Sequence, residues 1–381
     1  MPQSVTTIMG ARRIPAVSSP AGNTNASISV FTSTGFQDLT LKEYLSAVEA
    51  LRPDVAIPLA DLTNSAIAPN SKRALRMAER TDEWIVEWFA SLSESTTTHA
   101  PTTATFAPVL PVSYPMQWEY ISRLAEDYLP TGQLSGLAVH DPDLLPDLAE
   151  HATPLLPLPR LSLSNPPTPH HILRQIALGI DVFALPFLNT ISDAGLALSF
   201  TFPPTATPST PSTPSTPSTP STPSTPSEET QTTPGPQPLA IDLSAPAHAT
   251  SLLPLTPNCT CYACRAHHRA YVHHLLAARE MLGWTLLQVH NHAVMAGFFE
   301  GVRAALNKGE EVFETAAREF ALRYEAEFPE GVSERPRARG YQYRSVGGGE
   351  VKRNKAAWGK LEGVEGVEGV VETEAEGGAG V

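Results

Sequence analysis

Short apolar runs alternate with longer segments in which apolar residues recur every three or four positions. The runs ISVFT (28–32), VAIPLA (55–60), TFAPVLPV (105–112), LSGLAVH (134–140) and DVFALPF (181–187) have the length and continuity of buried strands. Between them, LKEYLSAVEAL (41–51), SKRALRMAERTDEWIVEWFA (71–90), MQWEYISRLAEDYL (116–129) and PHHILRQIALGI (169–180) gather apolar side chains on one helical face. Strand and helix in alternation predict parallel β/α units. About five or six such units fit before residue 204, so the pattern predicts an α/β chain of the TIM-like (β/α)₈ barrel type, lacking its N-terminal units.

The pattern breaks between Pro208 and Ser227, where Pro-Ser-Thr triplets repeat without an apolar residue to anchor them. Such a tract is an extended, solvated linker or loop insertion. It accounts for much of the excess of proline, 37 residues in 381. The chain therefore divides into a partial β/α barrel (1–203), a low-complexity linker (204–238), a helical region (239–330) and a tail (331–381). No run of about 18 apolar residues is present to span a membrane, and the first residues carry no apolar core of signal-peptide length. A cytoplasmic location is the default, with peripheral association at the mitochondrial outer membrane left open.

The net charge of −13 argues against a surface that grips nucleic acid throughout. The tail is an exception in composition. Eight basic residues (Arg335, Arg337, Arg339, Arg344, Lys352, Arg353, Lys355 and Lys360) stand against Glu334 and Glu350, and the acidic repeat LEGVEGVEGVVETEAEG follows. Both stretches read as solvated segments, with RNA or partner contact as the alternative for the basic one.

All three cysteines fall within six positions, Cys259-x-Cys261-x₂-Cys264. An odd, local set in a chain without a secretion signal is not a disulfide framework. Three thiolates with an imidazole from a following helix complete a tetrahedral metal shell. His267, His268, His273, His274, His290 and His292 compete for the fourth place. The first four sit on the helix that starts at the cysteine loop and point along it or away. His290 and His292 lie on the next helix, which returns antiparallel, and spacing favours His290 without excluding His292.

The pattern C-x-C-x₂-C-x₂₅-H, with RAYVHHL after the third cysteine and LLQVHN around the histidine, resembles the C-terminal zinc region of the tRNA-guanine transglycosylases. In that family zinc sits beside a (β/α)₈ barrel. The resemblance implies Cys259, Cys261, Cys264 and His290 as ligands of one structural Zn²⁺ per subunit, within a helical region that completes the barrel. Upstream, PHHILRQIALGIDVFALPF resembles the helix and strand that end in the family's catalytic nucleophile, and the nucleophile position falls on Ala184. The reaction needs a carboxylate to attack ribose C1′ as guanine leaves, forming a covalent intermediate. A methyl group cannot do this.

Neither neighbouring carboxylate substitutes by position. Asp181 is three residues away, on the opposite face of a strand, and Asp193 is more distant still. No catalytic residue is expected in this chain. VAIPLADLT resembles the strand whose terminal aspartate recognises the base, which makes Asp61 either a base contact or an ordinary loop or helix-initiating aspartate. The segment matching the family's glutamine-glycine contact reads VLPVS and offers neither residue. TSTGFQDL resembles an early family segment carrying a general base, but the sequence after it fits a later unit.

A chain that keeps the zinc region and lacks the nucleophile is similar to the non-catalytic accessory subunits of the eukaryotic queuine tRNA-ribosyltransferases. That resemblance covers roughly residues 10–203 and 239–307. It implies a heterodimer with a catalytic queuine tRNA-ribosyltransferase subunit, contact with tRNA through the complex, and exchange of guanine for queuine at the wobble position of GUN-anticodon tRNAs by the partner. Against a complete eight-unit barrel, it also implies that about one hundred residues precede the first unit present. Two other readings stand beside it: an active transglycosylase using another carboxylate, and a zinc-stabilised scaffold unrelated to tRNA.

Overall fold

The computed structural model describes residues 5–17, 19, 22–32, 35–63, 68–95, 103–204, 235–333 and 335. The Pro-Ser-Thr tract and the basic and acidic stretches of the tail beyond residue 335 lie outside them.

Parallel pairing dominates the N-terminal half. In chain order the elements are β1 (Ile8–Gly10), β2 (Ser27–Thr32), β3 (Gly35–Thr40), α1 (Leu41–Leu51), β4 (Val55–Ile57), α2 (Ser71–Ser95), β5 (Ala104–Val109), α3 (Tyr114–Arg123), β6 (Gly136–Val139), α4 (Leu145–His151), β7 (Arg160–Ser162), α5 (Pro169–Ala177) and β8 (Val182–Phe183). Six strands form one parallel sheet in the order β1-β4-β5-β6-β7-β8. Consecutive strands pair with helices between them, which is the β/α repeat that the alternating pattern predicts.

One strand departs from that expectation. ISVFT belongs to β2, which pairs antiparallel with β3 in a separate two-stranded sheet. Only two residues separate β2 from β3, whereas a parallel crossover needs a dozen or more. Gly35 begins β3 at φ +113, backbone that glycine adopts without steric cost. Phe31 and Phe36 then meet across the hairpin at 5.1 Å. The strands β1 and β7, three residues each, carry no pattern long enough to predict.

The helices start and stop for local reasons. Thr40 and Glu43 form a reciprocal capping box at the head of α1, and the chain leaves that helix through Arg52 in the left-handed conformation. Beyond α5, Gly179 at φ +95 turns the chain into β8.

Side chains alternate across the sheet and both faces are covered, as a parallel sheet requires. Ile57, Phe106, Ala138 and Leu161, one from each of four successive strands, pack together on one face. Ala56, Ala107, Val109, Leu137 and Val139 face the helices, against Tyr44, Trp88, Phe89, Tyr120 and Ile121. Trp88 and Tyr44 are almost wholly buried in this layer, with ring centroids 5.8 Å apart.

The C-terminal part comprises α6 (Phe187–Asp193), β9 (Leu196–Leu198), β10 (Ala240–Asp242), α7 (Tyr262–Ala266), α8 (Arg269–Ala277), α9 (Met281–Leu306) and α10 (Glu310–Arg323). β9 and β10 pair antiparallel, and the Ser199 amide continues the ladder to the Leu239 carbonyl at 2.9 Å. The proline-rich tract therefore joins two paired strands. Phe200, Phe202, Phe298, Phe313 and Phe320 fill the space between this ribbon and the helices α9 and α10, mostly edge to face. Among the described residues no helix is long and apolar enough to cross a membrane.

Close approach at one glycine fixes where α9 crosses the end of the ribbon. A Cβ on Gly301 would lie 1.8 Å from the Phe202 carbonyl oxygen, which is backbone and cannot rotate away. Gly301→Ala is expected to lose about 2–3 kcal/mol of stability by forcing α9 off the ribbon, read as a lower midpoint in urea unfolding. An unchanged midpoint would refute the close packing.

Candidate metal centre

The loop before α7, α7 itself and α9 converge to build a site from sulfur and nitrogen. The loop before α7 carries Cys259 and Cys261, and Cys264 lies on α7 itself. Cys261 caps that short helix, its Sγ accepting the Cys264 amide at 3.4 Å. His290 stands in the middle of α9, fully buried. The four ligand atoms all lie within 4.8 Å of one another.

The separations fit a tetrahedral metal. With metal–sulfur bonds of about 2.3 Å and a metal–nitrogen bond of about 2.0–2.1 Å, tetrahedral angles place sulfur and nitrogen about 3.6 Å apart. His290 Nδ1 lies 3.7 Å from Cys259 Sγ, 3.6 Å from Cys261 Sγ and 3.4 Å from Cys264 Sγ. Four protein donors of this kind can hold a divalent ion and leave it no open position.

The far side of the imidazole decides which nitrogen faces the sulfurs. His290 Nε2 lies 2.9 Å from the Leu198 carbonyl and donates to it, so Nδ1 keeps its lone pair for a metal. Thr256 Oγ1 donates to the same carbonyl at 2.8 Å and sits 3.3 Å from Nε2. Asn291, the next residue, holds the same strand: its Nδ2 donates to the Leu196 carbonyl and Ser192 Oγ, and its Oδ1 accepts the Leu198 amide. The HN pair of α9 thus grips β9 with both side chains. Sequence reasoning did not assign Thr256 or Asn291, because their partners are distant in the chain.

Electrostatics point the same way. Burial opposes a charge on His290, yet the three cysteine sulfurs and the Leu198 carbonyl push its pKa up to about 11. Burial pushes the Cys261 thiol up, but His290, the Cys264 amide and Cys259 outweigh it and bring the pKa down to about 6. A centre that favours thiolate and a proton on the facing nitrogen is one that stabilises a cation.

The other histidines are spent elsewhere. His268 caps α8 by accepting the Tyr271 amide, and His267 stacks on the Tyr271 ring at 4.9 Å. His273 Nδ1 meets the Leu243 carbonyl, and His274 and His292 are exposed. Helical geometry turns His292 some 200° from His290, so the two histidines cannot exchange roles.

The positions that the resemblance aligns with catalysis look different. Ala184 follows β8 directly, at the carboxyl end of the strand, where parallel α/β folds place their chemistry. Asp181 precedes the strand at its other end, accepting the Arg160 amide at 2.9 Å. Asp193, at the end of α6, pairs with Arg335 at 3.4 Å. VLPVS is closed by the buried Gln117, whose amide bonds the Leu110 amide, the Leu110 carbonyl and the Val112 carbonyl. Asp38, in the GFQDLT strand, is exposed on the hairpin.

Asp61 is wholly buried and committed. Arg73 binds its carboxylate with both terminal nitrogens, at 2.9 and 2.6 Å. Arg80 reaches Oδ2 at 2.8 Å and Asn23 reaches Oδ1 at 2.6 Å. Little of the carboxylate remains to recognise a base. Of the two readings of Asp61, the geometry favours the structural one.

Two outcomes follow. His290→Ala is expected to remove the bound metal, from one ion per chain to none, and to lower the melting temperature by roughly 10 °C; His292→Ala is expected to change neither. Metal analysis and thermal unfolding read both, and full metal retention in His290→Ala would refute the site. Asp61→Ala is expected to cost about 3 kcal/mol in chemical unfolding, because it strands two partly buried guanidiniums; a loss below 1 kcal/mol, the level of a surface ion pair, would refute its structural role.

Comparison with known proteins agrees with this geometry. The family model described as queuine tRNA-ribosyltransferase matches residues 1–326. The chain is 33% identical over 355 residues to a queuine tRNA-ribosyltransferase accessory subunit 2 of Schizosaccharomyces pombe, covering 92% of this chain and 71% of the relative. Proteins of the same description from Xenopus laevis and Drosophila grimshawi are 30% and 29% identical, over 78% and 77% of this chain and 73% and 66% of their own lengths. On the strength of a match that runs through both the parallel sheet and the cysteine-histidine cluster, this chain belongs to the queuine tRNA-ribosyltransferase family.

Proposed function

We propose that this chain is the non-catalytic subunit of a heterodimeric tRNA-guanine transglycosylase acting in queuosine modification of tRNA. The single observation that carries the reading is Ala184 at the carboxyl end of β8, in a chain that retains the complete cysteine-histidine cluster. The catalytic partner exchanges guanine for queuine at the wobble base, and this subunit contributes assembly and positioning of the tRNA.

The metal in this reading is one Zn²⁺ held by Cys259, Cys261, Cys264 and His290. Four protein ligands suit a structural ion, which ties the cysteine loop to α9 and offers no position for a reacting water. The six-stranded sheet is read as part of a (β/α)₈ barrel. Among the described residues β1 and β8 each pair on one side only, and two further strands are what closure of eight requires.

Exposed apolar side chains support a partner surface near the metal. Leu282 and Val289 lie seven residues apart on one face of α9 and are 45% and 40% exposed. Leu252 and Leu253, before the cysteine loop, are 77% and 61% exposed. Most other apolar residues of these helices, including Leu275, Leu286, Leu287 and Phe298, are core. In this reading the complex is cytoplasmic.

Reconstitution tests this directly. The purified chain alone is expected to incorporate no labelled guanine or queuine into tRNA, and a mixture with the catalytic homologue is expected to do so. Incorporation by the chain alone would establish an active transglycosylase using another carboxylate. Failure of the mixture, with both proteins folded and metal-loaded, would favour a scaffold unrelated to tRNA.

A further inference from the structure

A second cluster of charge lies away from the metal, at the carboxyl ends of β1 and β4. Arg12 follows β1 by two residues, and Leu62 and Thr63 lie beyond β4. These residues, with Asn23 and Arg73, line a cavity of ≈ 200 Å³. Parallel α/β sheets bind ligands outside the carboxyl ends of their strands.

The charges here do not balance. Arg73 and Arg80 both pair with Asp61, and Arg12 feels the same carboxylate. Among the described residues no second carboxylate forms an ion pair with any of the three. One negative charge thus serves three guanidiniums, and Asp61, with both oxygens engaged, has nothing further to give.

Arg12 carries the clearest deficit. Its Nη1 donates to the Ala60 carbonyl at 2.9 Å and its Nη2 to Asn23 Oδ1 at 3.0 Å, both neutral acceptors. Its Nε is buried with no hydrogen-bond partner among the described residues. Burial pulls its pKa down to about 10 despite the upward pull of Asp61. A guanidinium with only neutral acceptors on its terminal nitrogens has the charge and the spare N–H groups to take an oxyanion.

We propose that this cavity is a phosphate-binding site, with Arg12 and Arg73 as the charged ligands and Thr63 as a hydroxyl donor. The volume suits one phosphoryl group better than a nucleobase with its sugar. The proposal does not rest on the accessory-subunit reading and holds whichever subunit performs the exchange. The phosphoryl group belongs either to an RNA backbone or to a free phosphorylated small molecule.

The test uses the full metal-loaded chain in phosphate-free buffer. Titration with inorganic phosphate is expected to show saturable binding by calorimetry, and a rise in melting temperature of about 2–4 °C at tenfold excess over Kd. Arg12→Gln is expected to weaken binding at least roughly tenfold. Arg76→Gln, an exposed position on the same helix as Arg73, is expected to leave it unchanged. Should Arg12→Gln fail to fold, Thr63→Val decides: weaker binding at an unchanged melting temperature supports the site, and unchanged binding overturns it. Absence of saturable binding, or equal loss in Arg12→Gln and Arg76→Gln, also overturns it. A tRNA transcript that displaces the bound phosphate identifies an RNA phosphate as the ligand; a transcript that leaves it bound identifies a small phosphorylated molecule.

Discussion

The imidazole of His290 is held from two sides, and the C-terminal half of the molecule depends on that grip. One nitrogen is fixed to the Leu198 carbonyl of β9, and the other faces three cysteine sulfurs from the loop and helix α7. A single buried ring therefore links α9 to the ribbon and to the cysteine loop. Trp284, Leu287, Val272, Leu255 and Leu243 pack around the cluster, but apolar packing has no direction and would tolerate a turn of the helix. A buried hydrogen bond does not, and neither would a bond from Nδ1 to a metal. Asn291 repeats the constraint one residue later, which leaves α9 a single rotational setting.

That setting reaches the rest of the fold through α9 itself. The helix runs from the metal centre to the phenylalanine cluster, where Gly301 lets it pass against the Phe202 carbonyl. The ribbon it grips is made of the two strands that flank the proline-rich tract in sequence. At the carboxyl ends of the sheet strands, Ala184 stands at the position that the resemblance aligns with the nucleophile, and Asp61 is saturated by Arg73, Arg80 and Asn23. In the proposed reading the scaffold is retained without the groups that act on a base, and the leftover positive charge of the arginines is better matched to an anion than to guanine.

The legible part of the fold was its repeat. Helices α1, α2 and α5 and strands β4, β5 and β6 follow from apolar periodicity, because each buries enough continuous surface to impose a pattern. Strands β1 and β7 bury too few residues to do so, and they exist because neighbours supply the ladder. ISVFT has the composition of an inner strand and still became half of a hairpin. Its fate was set by the length of the connection to β3, which periodicity does not weigh.

By itself the sequence determined the local donor set, three cysteines with histidines to follow, and placed Ala184 where the family resemblance aligns the nucleophile. Three cysteines within six residues are a local fact, and so is an alanine at the end of a recognisable strand; both survive any arrangement of the remaining chain. Spacing left His290 and His292 open and the family resemblance pointed to His290; only the tertiary structure supplied the physical reason, a carbonyl 92 residues earlier in the chain that fixes the ring. It likewise decided that Asp61 is engaged, because Arg73 and Asn23 come to it from opposite sides in sequence. Residue type and spacing determine which chemistry is available, whereas contacts between distant segments determine which groups are left free to perform it.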